Sequence, residues 1–260
     1  MSIITLTTDF GRKDSYLASL KASILSEIND VNIIDISHEI EPFNILEAAI
    51  ILKSCYKDFP KGTIHLIAVD DEISIESEHL AVYANGYYFI GSDNGLFSIL
   101  LDDFKPEKIF RLNISQKSDF LTFAAKDIFS VAACHIARGG TLELIGNETN
   151  DFVVKKNILR AVVENNMIRG IVTYIDNYGN AITNISKAIF YNAIQDKKFS
   201  ILFGREDDGI NAISSKYKDV EIAEKLALFN SENFLQISLN QGKASSLLGM
   251  KFFDKIRIVY

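Results

Sequence analysis

The sequence predicts an α/β fold, with an N-terminal α/β domain built on a mostly parallel sheet and a C-terminal small β-barrel domain. In the first half of the chain, apolar runs rich in β-branched residues alternate with segments of helical periodicity. This alternation is typical of a parallel sheet covered by helices. From about residue 150 onward, helical periodicity becomes scarce and short β-rich runs follow one another, with the spacing of a small barrel or sandwich.

The boundary between the two predicted domains lies in the polar segment 148–156, which gives domains at residues 1–150 and 157–260. Only 3 prolines occur in the chain, so a proline-rich linker is not expected.

The spacing of apolar residues predicts each element in turn. Asn85-Gly86, between two apolar runs, is typical of the type I′ turn of a hairpin, and Gly139-Gly140 is expected to end a helix. The predicted strands of the first half lie at 3–8, 31–36, 63–69, 80–84, 87–90 and 108–112, and its predicted helices at 16–28, 45–56, 95–101 and 127–138. The predicted strands of the second half lie at 158–163, 168–175, 199–203, 225–229, 234–239 and 255–259.

Composition excludes several classes of function. The 260 residues are 48% hydrophobic and 23% charged, as in an ordinary globular protein, and the net charge of −7 without a basic stripe argues against nucleic acid as a partner. No apolar run is long enough to span a membrane, and the first residues lack the order of a signal peptide. Cys55 and Cys134 are expected to be buried free thiols, and the scattered histidines predict no metal site. A cytoplasmic protein is therefore expected.

An acidic turn follows the first predicted strand. Ligands of open α/β sheets bind beyond the carboxyl ends of the strands, where Asp9 and Asp14 would lie, with Gly11 allowing a tight turn. Carboxylates at this place suit hydroxyl groups or a cation better than a phosphate. The alternative is that Asp14 is simply the N-cap of the first helix and Asp9 a turn residue.

Further polar clusters follow later strands. They lie at 35–38, 70–72 and 92–95 in the first half and at 174–184 in the second. Clusters of Asp, Asn and Gly commonly only form turns, and this interpretation stays open for 92–95. The segment 174–184 has more hydrogen-bonding groups than a turn consumes, among them Asp176, Asn180 and Tyr178.

Taken together, these segments resemble the S-adenosylmethionine hydroxide adenosyltransferase family, whose relatives are the fluorinase and chlorinase enzymes. The motifs occur in the family's order along nearly the whole chain. In chain order they are Thr7-Thr8-Asp9-Phe10-Gly11 with Asp14 and Lys21; residues 31–40, similar to the family's VDISH strand end; Phe59-Pro60-Lys61-Gly62-Thr63; Asp93-Asn94-Gly95-Leu96; Thr122-Phe123 with Asp127-Ile128-Phe129; residues 175–185; Phe229-Asn230-Ser231; and Gly242-Lys243-Ala244 before Leu247-Leu248-Gly249.

The resemblance implies an enzyme that is active as a homotrimer. S-adenosylmethionine would be the substrate and lie between the N-terminal domain of one subunit and the C-terminal domain of the next. Water or hydroxide would attack the ribose C5′, giving adenosine and L-methionine, without a further cofactor and without a metal.

The resemblance also implies roles for individual residues. Asp70 would orient the attacking water. Asp9 would hold the ribose hydroxyls, Asp176 the methionine ammonium group and Ser231 the methionine carboxylate. The remaining substrate-binding residues that it implies are Asn180 at the adenine edge, Tyr178 stacked near the base, Phe43 against the ligand, Asp14 and Phe123.

The chain also departs from the family. Hydrolysing members carry an Asp, an Arg and a His around the water; the Asp is present as Asp70, whereas the Arg position falls on Ser77 and the His position on Ala124. Glu232 stands where halogenating relatives have an arginine near the methionine carboxylate. Those relatives use a serine in the halide pocket where this chain has Ala125, which argues against a halogenase.

Three hypotheses follow from the resemblance and its departures. The first is an S-adenosylmethionine hydrolase with an altered catalytic set. The second is a non-catalytic protein that binds S-adenosylmethionine or adenosine after losing the Arg and His. The third is a related ligand or reaction, because the altered segment 70–78 would surround C5′.

Overall fold

The structure is a computed structural model that describes residues 1–74, 78–102, 104–116, 122–155, 160–204 and 209–260. The chain divides into two compact units, Met1–Lys156 and Asn157–Tyr260. Ser77 lies outside the described residues, as do the end of the predicted boundary segment and the start of the predicted strand 158–163.

The first unit contains a seven-stranded sheet in the order β2-β1-β3-β5-β4-β6-β7. Strands β2, β1, β3 and β5 are mutually parallel, and the β4–β5 hairpin then reverses the direction, so that β4, β6 and β7 pair antiparallel. The parallel sheet is therefore confirmed in the half formed by β1, β2, β3 and β5. The strands are β1 (Ser2–Thr8), β2 (Val31–Ser37), β3 (Ile64–Ala68), β4 (His79–Ala84), β5 (Tyr87–Ser92), β6 (Lys108–Leu112) and β7 (Gly146–Thr149).

Helices cover both faces of this sheet. Apolar residues of α1 and α4 pack with β1 and β3 in one buried cluster, and those of α2 and α3 pack with β3, β4 and β5 in another. The inner strands of the parallel half are thus covered on both sides, and β3 is buried along its whole length, whereas the edge strand β2 is only partly buried. The helices are α1 (Tyr16–Glu27), α2 (Ile45–Cys55), α3 (Leu96–Leu100) and α4 (Ser130–Ala137), with short turns at Tyr56–Asp58, Ala125–Phe129 and Leu142–Leu144.

The second unit is an antiparallel sheet with the order β11-β14-β9-β10-β13-β12, and β8 pairs with β9. Its alternating inward residues enclose one apolar core, and the sheet curls into a half-barrel, which confirms the predicted β architecture. The strands are β8 (Val162–Glu164), β9 (Met167–Ile175), β10 (Ala181–Ser186), β11 (Ser200–Phe203), β12 (Lys225–Phe229), β13 (Phe234–Leu239) and β14 (Lys255–Val259); the helices are α5 (Lys187–Ile194) and α6 (Ala244–Leu247).

Most predicted elements agree with the structure within one or two residues. The Asn85-Gly86 turn joins β4 and β5 with positive φ at both residues, as a type I′ turn requires. The predicted helix at 127–138 begins earlier, with a π-helical turn at Ala125–Phe129. Helix α5 was missed because its eight residues bury only Phe190 and Ile194, too few to establish a period.

Two further expectations from the sequence concern the cysteines and membrane-spanning helices. Cys55 and Cys134 are free, as predicted, although Cys55 is only half-buried. Among the helices within the described residues, none has the length and apolarity needed to cross a bilayer.

Candidate active site

Asp9 lies directly beyond the carboxyl end of β1, at the edge where β2 and β3 also end. Its backbone N–H donates to the carbonyl of Ala68 at 3.3 Å, and its Oδ2 accepts from the N–H of Phe43 at 3.0 Å. Phe43 precedes α2, has a φ of 64° and exposes 73% of its surface. A positive φ is strained for an aromatic residue, and the bond to the carboxylate holds this conformation. Two residues that the sequence assigned to the ligand are thus in contact.

Asp70 occupies the corresponding turn beyond β3. It is exposed and has a φ of 51°, a left-handed conformation that Asp tolerates better than most residues. Nδ2 of Asn94, from the turn after β5, donates to the carbonyls of Val69 and Asp70 at 3.1 and 3.0 Å. Asn94 therefore fixes the turn that presents the Asp70 carboxylate, and 92–95 is more than a simple turn.

Asp71 is the half-buried carboxylate of the same turn. Its Oδ2 accepts from the N–H of Ala125 at 3.0 Å, and its carbonyl oxygen lies 3.0 Å from Nε2 of His79. Burial raises the pKa of Asp71 from 3.8 to about 6; the bond from Ala125 opposes this shift, while the negative charges of Asp9 and Asp70 add to it. Asp9 and Asp70 are thus near enough to Asp71 to act on its charge, and all three carboxylates belong to the turns that follow the adjacent parallel strands β1 and β3.

Aromatic side chains flank the Asp9 turn. Phe123 packs edge-to-face against both Phe10 and Tyr16, with ring centres 5.7 Å and 5.6 Å apart. The predicted ligand residue Phe123 therefore packs against the residue that follows Asp9. Asp14 lies in the exposed segment before α1, and the N-cap is Ser15, so the alternative assignment of Asp14 as N-cap is wrong.

The second unit carries a separate polar group in the turn between β9 and β10. Oδ1 of Asp176 accepts from the backbone N–H of Asn180, and Oδ2 accepts from its side-chain Nδ2, both at 2.8 Å. Asn180 is buried, so this bidentate pair fixes both side chains. Tyr178 lies at the tip of the turn and exposes 75% of its surface.

Ser231 lies in the turn between β12 and β13. Oδ1 of Asn230 shapes this turn by accepting from the N–H groups of Glu232 and Phe234 at 3.2 and 2.9 Å. The Ser231 hydroxyl donates to Oε1 of Glu232. Glu232, which stands where the halogenating relatives have an arginine, therefore accepts from the hydroxyl that the resemblance assigns to the methionine carboxylate.

Sequence reasoning names Asp71 only as a possible local substitute, with Glu72 and Lys126, for the missing Arg and His, and it assigns no role to Asn94. Both stood in polar clusters that were recognised, but neither the burial of Asp71 nor its contact with Ala125, 54 positions later, follows from local sequence. Where the structure describes the chain, no three or more His, Cys, Asp or Glu side chains are grouped so that they could hold a metal ion.

Two family models match the chain. Residues 4–146 match the SAM hydroxide adenosyltransferase N-terminal domain, and residues 170–257 match the SAM hydroxide adenosyltransferase C-terminal domain. Together they cover most of both compact units.

Curated relatives align over nearly the full length. An (R)-S-adenosyl-L-methionine hydrolase of Methanocaldococcus jannaschii is 32% identical over 100% of this chain and 97% of its own. A fluorinase of Actinopolyspora mzabensis is 24% identical over 98% of this chain and 96% of its own.

A solved structure has the same fold. The crystal structure of an uncharacterized conserved protein from Thermotoga maritima superposes with a TM-score of 0.91 at 31% identity, covering 99% of this chain and 100% of that one. With both domain models matched in order and relatives aligned from end to end, the chain belongs to the SAM hydroxide adenosyltransferase family.

Proposed function

We propose that this protein is an S-adenosylmethionine hydrolase that forms adenosine and L-methionine. The observation that carries the proposal is the placement of Asp9, Asp70 and Asp71 in the turns after the adjacent parallel strands β1 and β3, with Asp9 bonded to the backbone of Phe43. This edge is where open α/β sheets bind ligands. Full-length similarity to proteins named (R)-S-adenosyl-L-methionine hydrolase supports the same reaction.

In the proposed reaction, a water oxygen attacks C5′ of the ribose in line with the C5′–S bond. The bonding pair leaves with the sulfur, which turns from a sulfonium into the neutral thioether of methionine, and the water proton passes to Asp70 or to solvent. Because sulfonium is a good leaving group, the barrier consists largely of placing the water. Such positioning can supply roughly 7–11 kcal/mol, and a general base about a further 10²–10⁴-fold.

The first unit would bind the nucleoside. An ionised carboxylate has about four lone-pair sites, so the bond from Phe43 N–H leaves Asp9 with the capacity to accept from both ribose hydroxyls. Phe43 and Phe123 offer aromatic surface on either side of this turn, and Asp14 a carboxylate near it.

The second unit would bind the base and the amino-acid part. Asp176 keeps acceptor capacity beyond its two bonds to Asn180, so it can receive the methionine ammonium. Asn180 would read the adenine edge, Tyr178 would stack near the base and Ser231 would contact the methionine carboxylate.

The proposal includes a homotrimer in which one subunit supplies Asp9 and Asp70 and a neighbour supplies Asp176 and Asn180. It also includes a cytoplasmic location, where the two free thiols stay reduced. Light scattering is expected to give three times the chain mass, and a monomer that turns over would contradict the shared site.

The test is incubation of the purified protein with S-adenosylmethionine, followed by chromatography. Adenosine and methionine are expected in equal amounts, and Asp70→Asn is expected to lower the rate on the order of 10²-fold. The matched control is Asp58→Asn, an exposed carboxylate in the turn after α2, at the opposite end of β3, which is expected to keep the wild-type rate.

Other outcomes select other functions. Saturable binding of S-adenosylmethionine by calorimetry without product would identify a non-catalytic binder. The absence of catalysis would then be attributed to Ala124, which stands in place of the family's histidine. Product that depends on chloride or fluoride would identify a halogenase. Binding of a different adenosyl compound alone would point to another reaction.

A further inference from the structure

A chain of polar contacts runs from the surface of α1 to the turn that carries Asp9. Nζ of Lys21 lies 2.7 Å from Oδ2 of Asp35, and Oδ1 of Asp35 lies 3.1 Å from Nε2 of His38. Nδ1 of His38 lies 2.8 Å from Oγ1 of Thr8, the last residue of β1. The proposed function gives none of these four residues a role.

The protonation states of Asp35 and His38 decide which group donates and which accepts in each of these contacts. Burial alone would raise the pKa of Asp35, but the bond from Lys21 and the nearby ring of His38 outweigh it, so the carboxyl is ionised and can only accept. The proton of the ring is therefore assigned to Nε2, which faces this carboxylate at 3.1 Å although the angle is not that of a regular hydrogen bond. Burial lowers the pKa of His38, which stays neutral, and its Nδ1 is then an acceptor. Thr8 must donate to it, and this tautomer follows from the hydrogen-bond network.

His38 holds the Asp9 turn from both sides. The oriented Thr8 hydroxyl can accept from the N–H of Phe10, which lies 3.4 Å away, and the carbonyl of His38 accepts from the N–H of Gly11 at 2.8 Å. Thr8, before Asp9, is thus bonded to the ring of His38, and Gly11, after Asp9, is bonded to the backbone carbonyl of His38. The direction in which the Asp9 carboxylate points depends on these ties.

We propose that His38 is a positioning residue that, through Thr8 and Gly11, orients the Asp9 carboxylate for the two ribose hydroxyls. The inference rests on the proposed function, in which Asp9 binds the ribose. Asp35, paired with Lys21, places a negative charge beside the far side of the His38 ring. Selectivity for a ribose over a deoxygenated sugar is therefore set in part by a residue that does not touch the ligand.

Two substitutions separate the two ring nitrogens. In His38→Asn the side-chain amide takes the place of Nδ1 and can accept from Thr8, whereas in His38→Gln it takes the place of Nε2 and keeps only the contact with Asp35. Both put a polar amide into the same buried space, so a general loss of packing would affect them alike. Only the first retains the tie to Thr8.

The measurement is calorimetric affinity for adenosine and for 2′,3′-dideoxyadenosine. Wild type and His38→Asn are expected to prefer adenosine by about tenfold or more, as two charge-assisted hydrogen bonds imply. His38→Gln is expected to lose most of this preference while binding dideoxyadenosine as wild type does. Since kcat depends on Asp70, KM for S-adenosylmethionine is expected to rise in His38→Gln with kcat nearly unchanged.

A second pair of variants tests the same link without altering the histidine. Thr8→Val removes the hydroxyl group and is expected to behave like His38→Gln. Thr8→Ser keeps a hydroxyl group at this position and is expected to behave like wild type. This pair decides the question if His38→Gln does not fold.

The outcomes distinguish this inference from the proposed function. Wild type that binds no adenosine would overturn both. Wild type that prefers adenosine, with the same preference in His38→Gln and Thr8→Val, would overturn the positioning role and leave the hydrolase proposal intact.

Discussion

Asp71→Asn is expected to stabilise the folded protein near neutral pH. The substitution removes a negative charge that burial and the neighbouring carboxylates make unfavourable in the folded state. Asn keeps the shape of the side chain and an oxygen that can accept from Ala125 N–H, now 3.0 Å from Oδ2. The repulsion by Asp9 and Asp70 disappears with the charge. The variant therefore tests whether the site disfavours the charged form of Asp71, chiefly through burial and in addition through the charges of Asp9 and Asp70.

The expected change in the free energy of unfolding follows from the pKa of Asp71, which is raised from 3.8 to about 6. A raised pKa means that the folded state holds the proton more tightly than the unfolded state, so the stabilisation is complete below pH 3.8 and is lost as pH rises through about 6. A shift of two units corresponds to about 3 kcal/mol. Because the side chain is not fully covered, solvent screening is expected to reduce this to about 1–2 kcal/mol.

Thermal unfolding of wild type and Asp71→Asn at about pH 8 and about pH 4 measures the effect. The variant is expected to have the higher Tm at the higher pH and nearly the same Tm at the lower pH. Glu72→Gln is the matched control, since it removes a charge from the exposed neighbour and is expected to show little change at either pH. Equal gains from both substitutions, or a lower Tm of Asp71→Asn at about pH 8, would refute the conclusion that the site disfavours the charged form of Asp71.

Three further predictions concern other residues. Burial lowers the pKa of His65 to about 3, so the free energy of unfolding is expected to fall as pH drops from 6.5 toward 3. The double substitution Thr5→Val/His65→Leu removes both partners of a 2.8 Å hydrogen bond. In urea titrations this variant is expected to be less sensitive to acid than wild type. Glu232→Gln is expected to lower KM for S-adenosylmethionine about twofold, and a KM that rises would contradict repulsion of the substrate carboxylate. Asn180→Ala is expected to raise KM roughly tenfold with little change in kcat, because it removes the amide that holds Asp176, and steady-state kinetics in which kcat alone falls would exclude this role.

The parts of the fold that depend on local pattern could be predicted from the sequence. The continuous apolar run of β3 and the Asn85-Gly86 turn are examples, because the burial of a parallel strand and the φ values of a type I′ turn act on neighbouring residues. Helix α5 was not predictable in this way. Its stability comes from packing in the barrel core, not from a long amphipathic pattern.

The candidate site was predictable in its residue types but not in its contacts. Asp9 and Asp176 were recognised because polar groups follow strand ends. The bond between Asp9 and Phe43 joins residues 34 positions apart, and it depends on a left-handed conformation that the sequence of an aromatic residue does not suggest. The role of His38 likewise depends on Thr8, 30 positions earlier, and becomes visible only when β1 and β2 pair in register.

The central claim is that water attacks C5′ of S-adenosylmethionine at the edge of the parallel strands. The most direct measurement is mass spectrometry of the products after turnover in water labelled with oxygen-18. The account predicts that the label enters the 5′-hydroxyl of adenosine and that the methionine is unlabelled. Adenosine without the label, label in the methionine, or no adenosine at all would contradict it.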